Sequence, residues 1–200
     1  GSGSVVKQDL VRIDDSISDK SFFQNPALVS AIEAAKLKNR PIHLMGLVSD
    51  GGVHSHVNHL LSLIDLCAAH EVVPQIHMIS DGRDTSPQSA LSFIPLVEER
   101  LIRCGGFIGS VSGRFYMLDR DNRWDRVQLA WDAIVGASAL QADSATEAVE
   151  QSYLAGQYDE FIKPTLLPNF SPVQEGDEFI DLSDGGRCGN IDFLEDWEPR

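Results

Sequence analysis

Ala27, Leu28, Ala31, Ile32, Ala35 and Leu37 are apolar residues at helical spacing, with Asn25 placed as an N-cap and Pro26 at the first helical position. Pro41 to Val48 is a short apolar run and predicts a buried strand that ends in the turn Ser49-Asp50-Gly51-Gly52. Val57, Leu60, Leu61, Ile64 and Ala68 predict a helix over 57–69. A second strand is expected from Val72 to Ile79, ending in Ser80-Asp81-Gly82-Arg83-Asp84-Thr85, and a helix from about Pro87 to Arg103 follows it. Phe107 to Val111 predicts a third strand, ending in Ser112-Gly113-Arg114, and helices are expected over Arg123–Val135 and Ala145–Leu154. Ahead of these, Val5 to Ile13 alternates weakly and predicts a short strand, while Pro164, Pro168 and Pro172 mark an extended or loop region.

Strand, polar turn and helix, repeated three times, predict a parallel sheet with right-handed crossovers. The fold class is therefore α/β, a mainly parallel sheet flanked by helices in three layers. One domain over residues 1–180 is expected, followed by a divergent acidic tail over 181–200 with Asp181, Asp184, Asp192, Glu195, Asp196 and Glu198. The turns at Ser49–His56, Ser80–Thr85 and Ser112–Arg120 all leave the carboxyl ends of strands, the edge at which such sheets bind ligands.

A net charge of −14 over 200 residues argues against nucleic-acid backbones and anionic membranes as partners. No apolar run is long enough to span a bilayer, and no signal peptide is visible. Cys67, Cys104 and Cys188 are odd in number and widely spaced, which suits reduced thiols and a cytoplasmic setting. Against this acidity, Arg103, Arg114, Arg120, Arg123 and Arg126 crowd one stretch. Guanidinium groups match phosphate or carboxylate two bonds at a time, so a small, multiply charged anion is one reading. An exposed helix laced with Asp–Arg pairs is the other.

In Asp50-Gly51-Gly52-Val53-His54-Ser55-His56 the glycines allow close backbone approach, and His54 and His56 are placed to donate to an anion. A metal reading sets His54, His56 and His59 with oxygen ligands from Asp50, Asp81 and Asp84, as in a metal-dependent hydrolase; His59 by itself reads as a capping or packing residue, and His43 and His77 as satisfied core residues. In Asp81-Gly82-Arg83-Asp84, Arg83 suits an anion and Asp84 is placed to take a proton from a hydroxyl. The plainer reading is a turn in which Asp81 and Asp84 cap backbone and Arg83 pairs with an acid. No GxSxG, P-loop or GxGxxG sequence is present.

Several segments resemble the cofactor-independent (2,3-bisphosphoglycerate-independent) phosphoglycerate mutase family. They are Gln8-Asp9-Leu10-Val11-Arg12-Ile13, Ser21-Phe22-Phe23, His43 through His56, Asp81 through Thr85, Ser112-Gly113-Arg114, Asp119 through Arg126, Asp159-Glu160-Phe161 and Pro164-Thr165. The resemblance runs over residues 1 to 180 and is to the family's inserted transferase, or substrate-binding, domain alone. It implies a glycolytic isomerase that interconverts 2- and 3-phosphoglycerate by phosphotransfer. It also implies a phosphatase-like domain of the alkaline-phosphatase type that carries the serine nucleophile and a pair of manganese ions. The segment Gly1 to Val6 resembles the family's linker after that serine, so the nucleophile and metal ligands are expected outside this chain, which holds no cofactor of its own and is expected to be inactive alone. Carried over by motif, His54, Arg83, Asp84, Arg114 and Arg120 are the implied substrate-binding residues, and Asp84 the implied acid/base; Arg123 and Arg126 are expected to be structural. The chain departs from the family at Asp14, where the family has Asn. It departs again after Gly176-Asp177, where the family's Asn-Phe-Arg-x-Asp-Arg segment is replaced by Asp181 through Arg187, so the site is expected to lack two anion clamps. The alternative is a stand-alone, non-catalytic phosphate- or carboxylate-binding module.

Overall fold

Asp9–Ser18 is a helix (α1), not the strand that the weak alternation over Val5–Ile13 predicts. Ile13 and Ile17, one turn apart, pack on the main core, and that helical spacing overrides a short alternation. The computed structural model describes residues 8–137 and 139–183, together with the strand Arg187–Asn190. Beyond α1, a short 3-10 turn leads to α2 (Pro26–Lys38), where the Asn25 side chain accepts from the Ala27 amide at 3.0 Å as its sequence position predicts.

Among the described residues the sheet has seven strands. Its centre is β1 (Ile42–Leu47), parallel to β2 (Pro74–Ser80), which is parallel in turn to β3 (Phe107–Gly113). The crossovers are α3 (Val57–Ala69) and α4 (Ala90–Leu101). After β3 come the single turn α5 (Arg114–Met117), α6 (Trp124–Ile134), β4 (Leu140–Gln141) and α7 (Ala145–Leu154). The proline-marked segment contributes β5 (Thr165–Leu166), antiparallel to β3 and parallel to β4. On the other side, β6 (Glu178–Asp181) runs parallel to β1 and β7 (Arg187–Asn190) antiparallel to β6. Of the segment expected as a tail, Asp181 thus closes β6 and residues 187–190 pair with it, while 184–186 and 191–200 lie outside the described residues, as does the Arg187 side chain. No helix among the described residues is long and apolar enough to cross a membrane.

Strand alternation splits the core in two. Ile42, Leu44, Ile76 and Met78 face a large cluster built with α2, α3, α4 and α7, while Met45, Leu47 and Ile79 face a smaller one with Ile134 and Val173. On this second face the row also carries His43, Gln75 and His77, all fully buried. His43 Nδ1 lies 3.1 Å from His77 Nε2, and His77 Nδ1 lies 2.9 Å from Ser110 Oγ. The Gln75 amide holds both backbone groups of Ser171, at 2.9 and 2.8 Å, and so pins the segment that covers this face. His43 Nε2 sits 3.4 Å from a buried Asp177 oxygen, and Arg40 holds the same carboxylate at 2.9 Å.

Burial pushes His43 down to about 4, against the pull of Asp177, and burial beside His43 pushes His77 well below its ordinary value. Both therefore fold as neutral rings. Between the unfolded value of 6.5 and the folded value of about 4, the unfolded chain binds more protons, so stability falls as pH falls through that window. For His43 alone the loss from pH 7 to pH 4.5 is about 2–3 kcal/mol. Urea midpoints across that range are expected to drop accordingly, and to drop less in a His43→Asn, His77→Asn variant; a wild-type midpoint flat with pH would contradict this.

Candidate functional site

Three strand exits meet at the carboxyl edge of the sheet. The exit of β1 brings Ser49 and Gly51, that of β2 brings Asp81 to Asp84, and β3 runs straight into α5, so that Arg114 is the first residue of a helix rather than of a loop. Asp81, 3% exposed, joins them. Its Oδ2 accepts from Ser49 Oγ at 2.7 Å; its Oδ1 accepts from the amides of Arg83 at 3.2 Å and Asp84 at 3.0 Å and from Arg114 Nη1 at 2.7 Å. Arg114 Nη1 also donates to Asp84 Oδ2 at 2.6 Å. Burial by itself raises Asp81, but the Asp84 amide, the Ser49 hydroxyl and the Arg114 guanidinium outweigh it and hold the carboxyl below its ordinary value. Burial would lower Arg114, and Asp84 and Asp81 together raise it.

Beyond this cluster lies a cavity of about 320 Å3. His54, Arg83, Asp84, Arg114 and Arg120, the five residues singled out from the sequence, all line it. Arg83 reaches outward, its side chain 70% exposed and 3.9 Å from Glu160. Asp84 is 22% exposed. The wall is completed by Phe115, Leu118, Asp119, Asp121, Arg126 and Glu160.

Asp119 organises the far wall. Its side chain, 2% exposed, accepts from the amides of Asp121 at 3.2 Å and Arg123 at 2.8 Å and from Arg126 Nη1 at 3.3 Å. The Arg126 guanidinium stands 3.7 Å over the Phe115 ring. Arg126, expected to be structural, is therefore both paired and part of the cavity wall, whereas Arg123 pairs with Asp125 at 3.6 Å. Arg103 does not join the site; it lies 3.8 Å from Asp65 at the end of the α4 crossover.

Glu160 arrives from far along the chain, in a 3-10 turn at Asp159–Phe161. Gly113 makes room for it: a Cβ there would come within 2.3 Å of the Glu160 carbonyl oxygen. Gly82, at φ +70°, does the same, since a Cβ would meet the Glu160 amide at 2.8 Å. Sequence reasoning misses Glu160 as a wall residue because nothing local points 47 residues back to the end of β3 at Gly113. Asp81 was weighed only as a turn cap or metal oxygen; the plainer reading of that turn does hold for Asp81, which caps it, and for Arg83, which faces an acid.

The metal reading of the histidines finds no common point. His56 caps α3, its Nδ1 accepting from the Asn58 amide at 3.1 Å, and buried His59 meets Asp14 Oδ1 at 2.8 Å. Asp14, where the resemblance implies Asn, thus has a local partner in this chain. Among the described residues no three His, Cys, Asp or Glu side chains converge to hold a metal ion.

The model of the BPG-independent PGAM N-terminus family matches residues 13–183. This chain belongs to that family. It is 47% identical over 186 residues to the 2,3-bisphosphoglycerate-independent phosphoglycerate mutase of Hydrogenovibrio crunogenus, covering 90% of this chain and 36% of the relative. It is 47% identical over 183 residues to the enzyme of the same name from Symbiobacterium thermophilum, covering 90% and 35%. A crystal structure of Leishmania mexicana phosphoglycerate mutase, determined at low cobalt concentration, superposes with a TM-score of 0.83 at 26% identity, covering 92% of this chain and 36% of that one. The chain therefore spans about a third of the length of the relatives it matches. In this chain the cavity described above is lined largely by residues of the motifs that carried the resemblance.

Proposed function

We propose that this chain is the substrate-binding, or transferase, part of a cytoplasmic phosphoglycerate mutase that interconverts 2- and 3-phosphoglycerate. The observation that carries the reading is the meeting of His54, Arg83, Asp84, Arg114 and Arg120 around one cavity at the carboxyl edge of a parallel sheet. Its volume of about 320 Å3 lies at the small end of the range for small-molecule sites, as suits a three-carbon phosphoester. In this reading Arg83, Arg114, Arg120 and His54 face the phosphate and carboxylate, Arg114 also fixes Asp84, and Asp84 takes the proton of the glycerate hydroxyl that is to accept the phosphoryl group. It returns that proton to the oxygen that gave the group up.

The phosphoryl group would wait meanwhile on the serine of a phosphatase-like part of the alkaline-phosphatase type. Manganese belongs to that part in this proposal, because the described residues here do not supply a set of metal ligands. No step assigned to this chain runs through it.

Calorimetric titration with 3-phosphoglycerate tests the reading. Heat of binding is expected at millimolar ligand, weakened by Arg83→Ala and Arg120→Ala. Mutase turnover is expected only when the phosphatase-like part is supplied. A folded chain that gives no heat would count against the site, and turnover by this chain alone would overturn the division of labour.

A further inference from the structure

A turn cap alone would need no contact with Ser49 or Arg114, yet Asp81 makes both. Its carboxylate hydrogen-bonds to all three strand exits: Ser49 from β1, the amides of Arg83 and Asp84 after β2, and Arg114 after β3. A Cβ on Gly51 would lie 3.3 Å from Asp81 Oδ2 and 3.0 Å from Asp84 Cβ, so the β1 exit is also packed against this hub. The Arg114 side chain, 10% exposed, is gripped at one nitrogen by two carboxylates that lie three residues apart. One of them, Asp84, lines the cavity; the other, Asp81, does not.

We propose that Asp81 is a positioning residue of the anion site, which holds the Arg114 guanidinium in register with Asp84 from behind the cavity wall. The proposal rests on the reading of the cavity as an anion site. Its physical content is that a charged hydrogen bond from a buried carboxylate fixes one end of the guanidinium fork, so that Arg114 meets an incoming phosphate or carboxylate already oriented. Asp84 alone, more exposed and on a turn, leaves the fork free to swing.

Asp81→Asn keeps the shape and an acceptor for the two turn amides but removes the charge that holds Arg114. Two readouts on the full chain decide the matter. The first needs no ligand: nitrogen NMR of the guanidinium groups is expected to show Arg114 rotating roughly tenfold faster in Asp81→Asn, the loss of one charged hydrogen bond, while Arg100 is unchanged. The second uses inorganic phosphate as the probe: Asp81→Asn is expected to weaken binding, and to weaken it no further in an Arg114→Ala background. A folded Asp81→Asn protein whose Arg114 signal matches wild type overturns the proposal, as does an effect on phosphate binding that persists in full without Arg114. If Asp81→Asn does not fold, Ser49→Ala removes one partner of Asp81 and is expected to loosen Arg114 measurably; an unchanged signal there overturns it too. A wild-type chain that binds neither 3-phosphoglycerate nor phosphate, but shows Arg114 restrained through Asp81, defeats the functional reading and leaves the positioning role standing.

Discussion

Replacing Arg114 by alanine is expected to cost about 3–5 kcal/mol of folding stability at neutral pH, because it strips a buried carboxylate of its charge partner. The Asp81 side chain is 2% exposed and keeps only the Ser49 hydroxyl and two turn amides as partners when the guanidinium goes. The sign with pH follows from its lowered value. The pair contributes in full above the ordinary 3.8 of an aspartate and is lost as pH falls through the folded value, so the gap between variant and wild type narrows in acid. The same substitution should weaken anion binding by about 1.5–3 kcal/mol, the range for a hydrogen bond to a charged group. Arg114→Lys separates the two effects: the retained charge recovers part of the stability, but a single ammonium does not reproduce the planar fork, and the affinity stays low. Urea unfolding at pH 7 and at steps below pH 3.8, with calorimetry on the pH 7 samples, checks all of this. A variant within about 1 kcal/mol of wild type would place the pair among ordinary surface ion pairs.

Asp159→Ala is expected to be comparably damaging although it lies outside the cavity. Asp159 is fully buried, and its Oδ2 accepts from the amides of Ser89 at 2.8 Å and Ala90 at 2.9 Å and from the Ser89 hydroxyl at 3.1 Å. Its Oδ1 receives the Tyr153 hydroxyl. It is thus the cap of α4, supplied from across the chain, and the tie between α4 and α7. Removing it leaves one buried donor, the Ala90 amide, and three half-buried donors without this acceptor, at up to about 1–3 kcal/mol for each. Because these losses overlap, a total of about 3–5 kcal/mol is expected, lowering the melting temperature by roughly 10 °C. Glu160, next in sequence, should then lose its place at the cavity rim, so weaker phosphate binding is expected in whatever fraction stays folded. A melting temperature unchanged within a few degrees would contradict this account.

The regular elements were mostly readable from spacing. The helix over 57–69 and the helix over 145–154 have the bounds that apolar periodicity predicts. Where the reading slipped, a distant partner was responsible. The helix expected from Pro87 starts at Ala90, where Asp159 caps it. The strand expected to stop at Val111 continues to Gly113, where the backbone finds a partner in the Ile162 carbonyl at 2.7 Å. The two-residue strands β4 and β5 carry too little pattern to be seen in a sequence at all.

The chain's own order of residues was sufficient for the three central parallel strands and the ligand-bearing edge to which their turns lead, since strand direction and turn chemistry are local properties that repeat along the backbone; the five polar residues at that edge came with the motifs that carry the resemblance. It was silent on which acid neutralises which arginine. Asp81 rather than an unknown anion satisfies one nitrogen of Arg114, Asp119 satisfies Arg126, and Glu160 is admitted to the rim by two glycines; these depend on distances between segments far apart in the chain. Coulomb attraction and desolvation act through space, so only the folded arrangement chooses among the many pairings open to arginines outnumbered by the chain's 30 carboxylates.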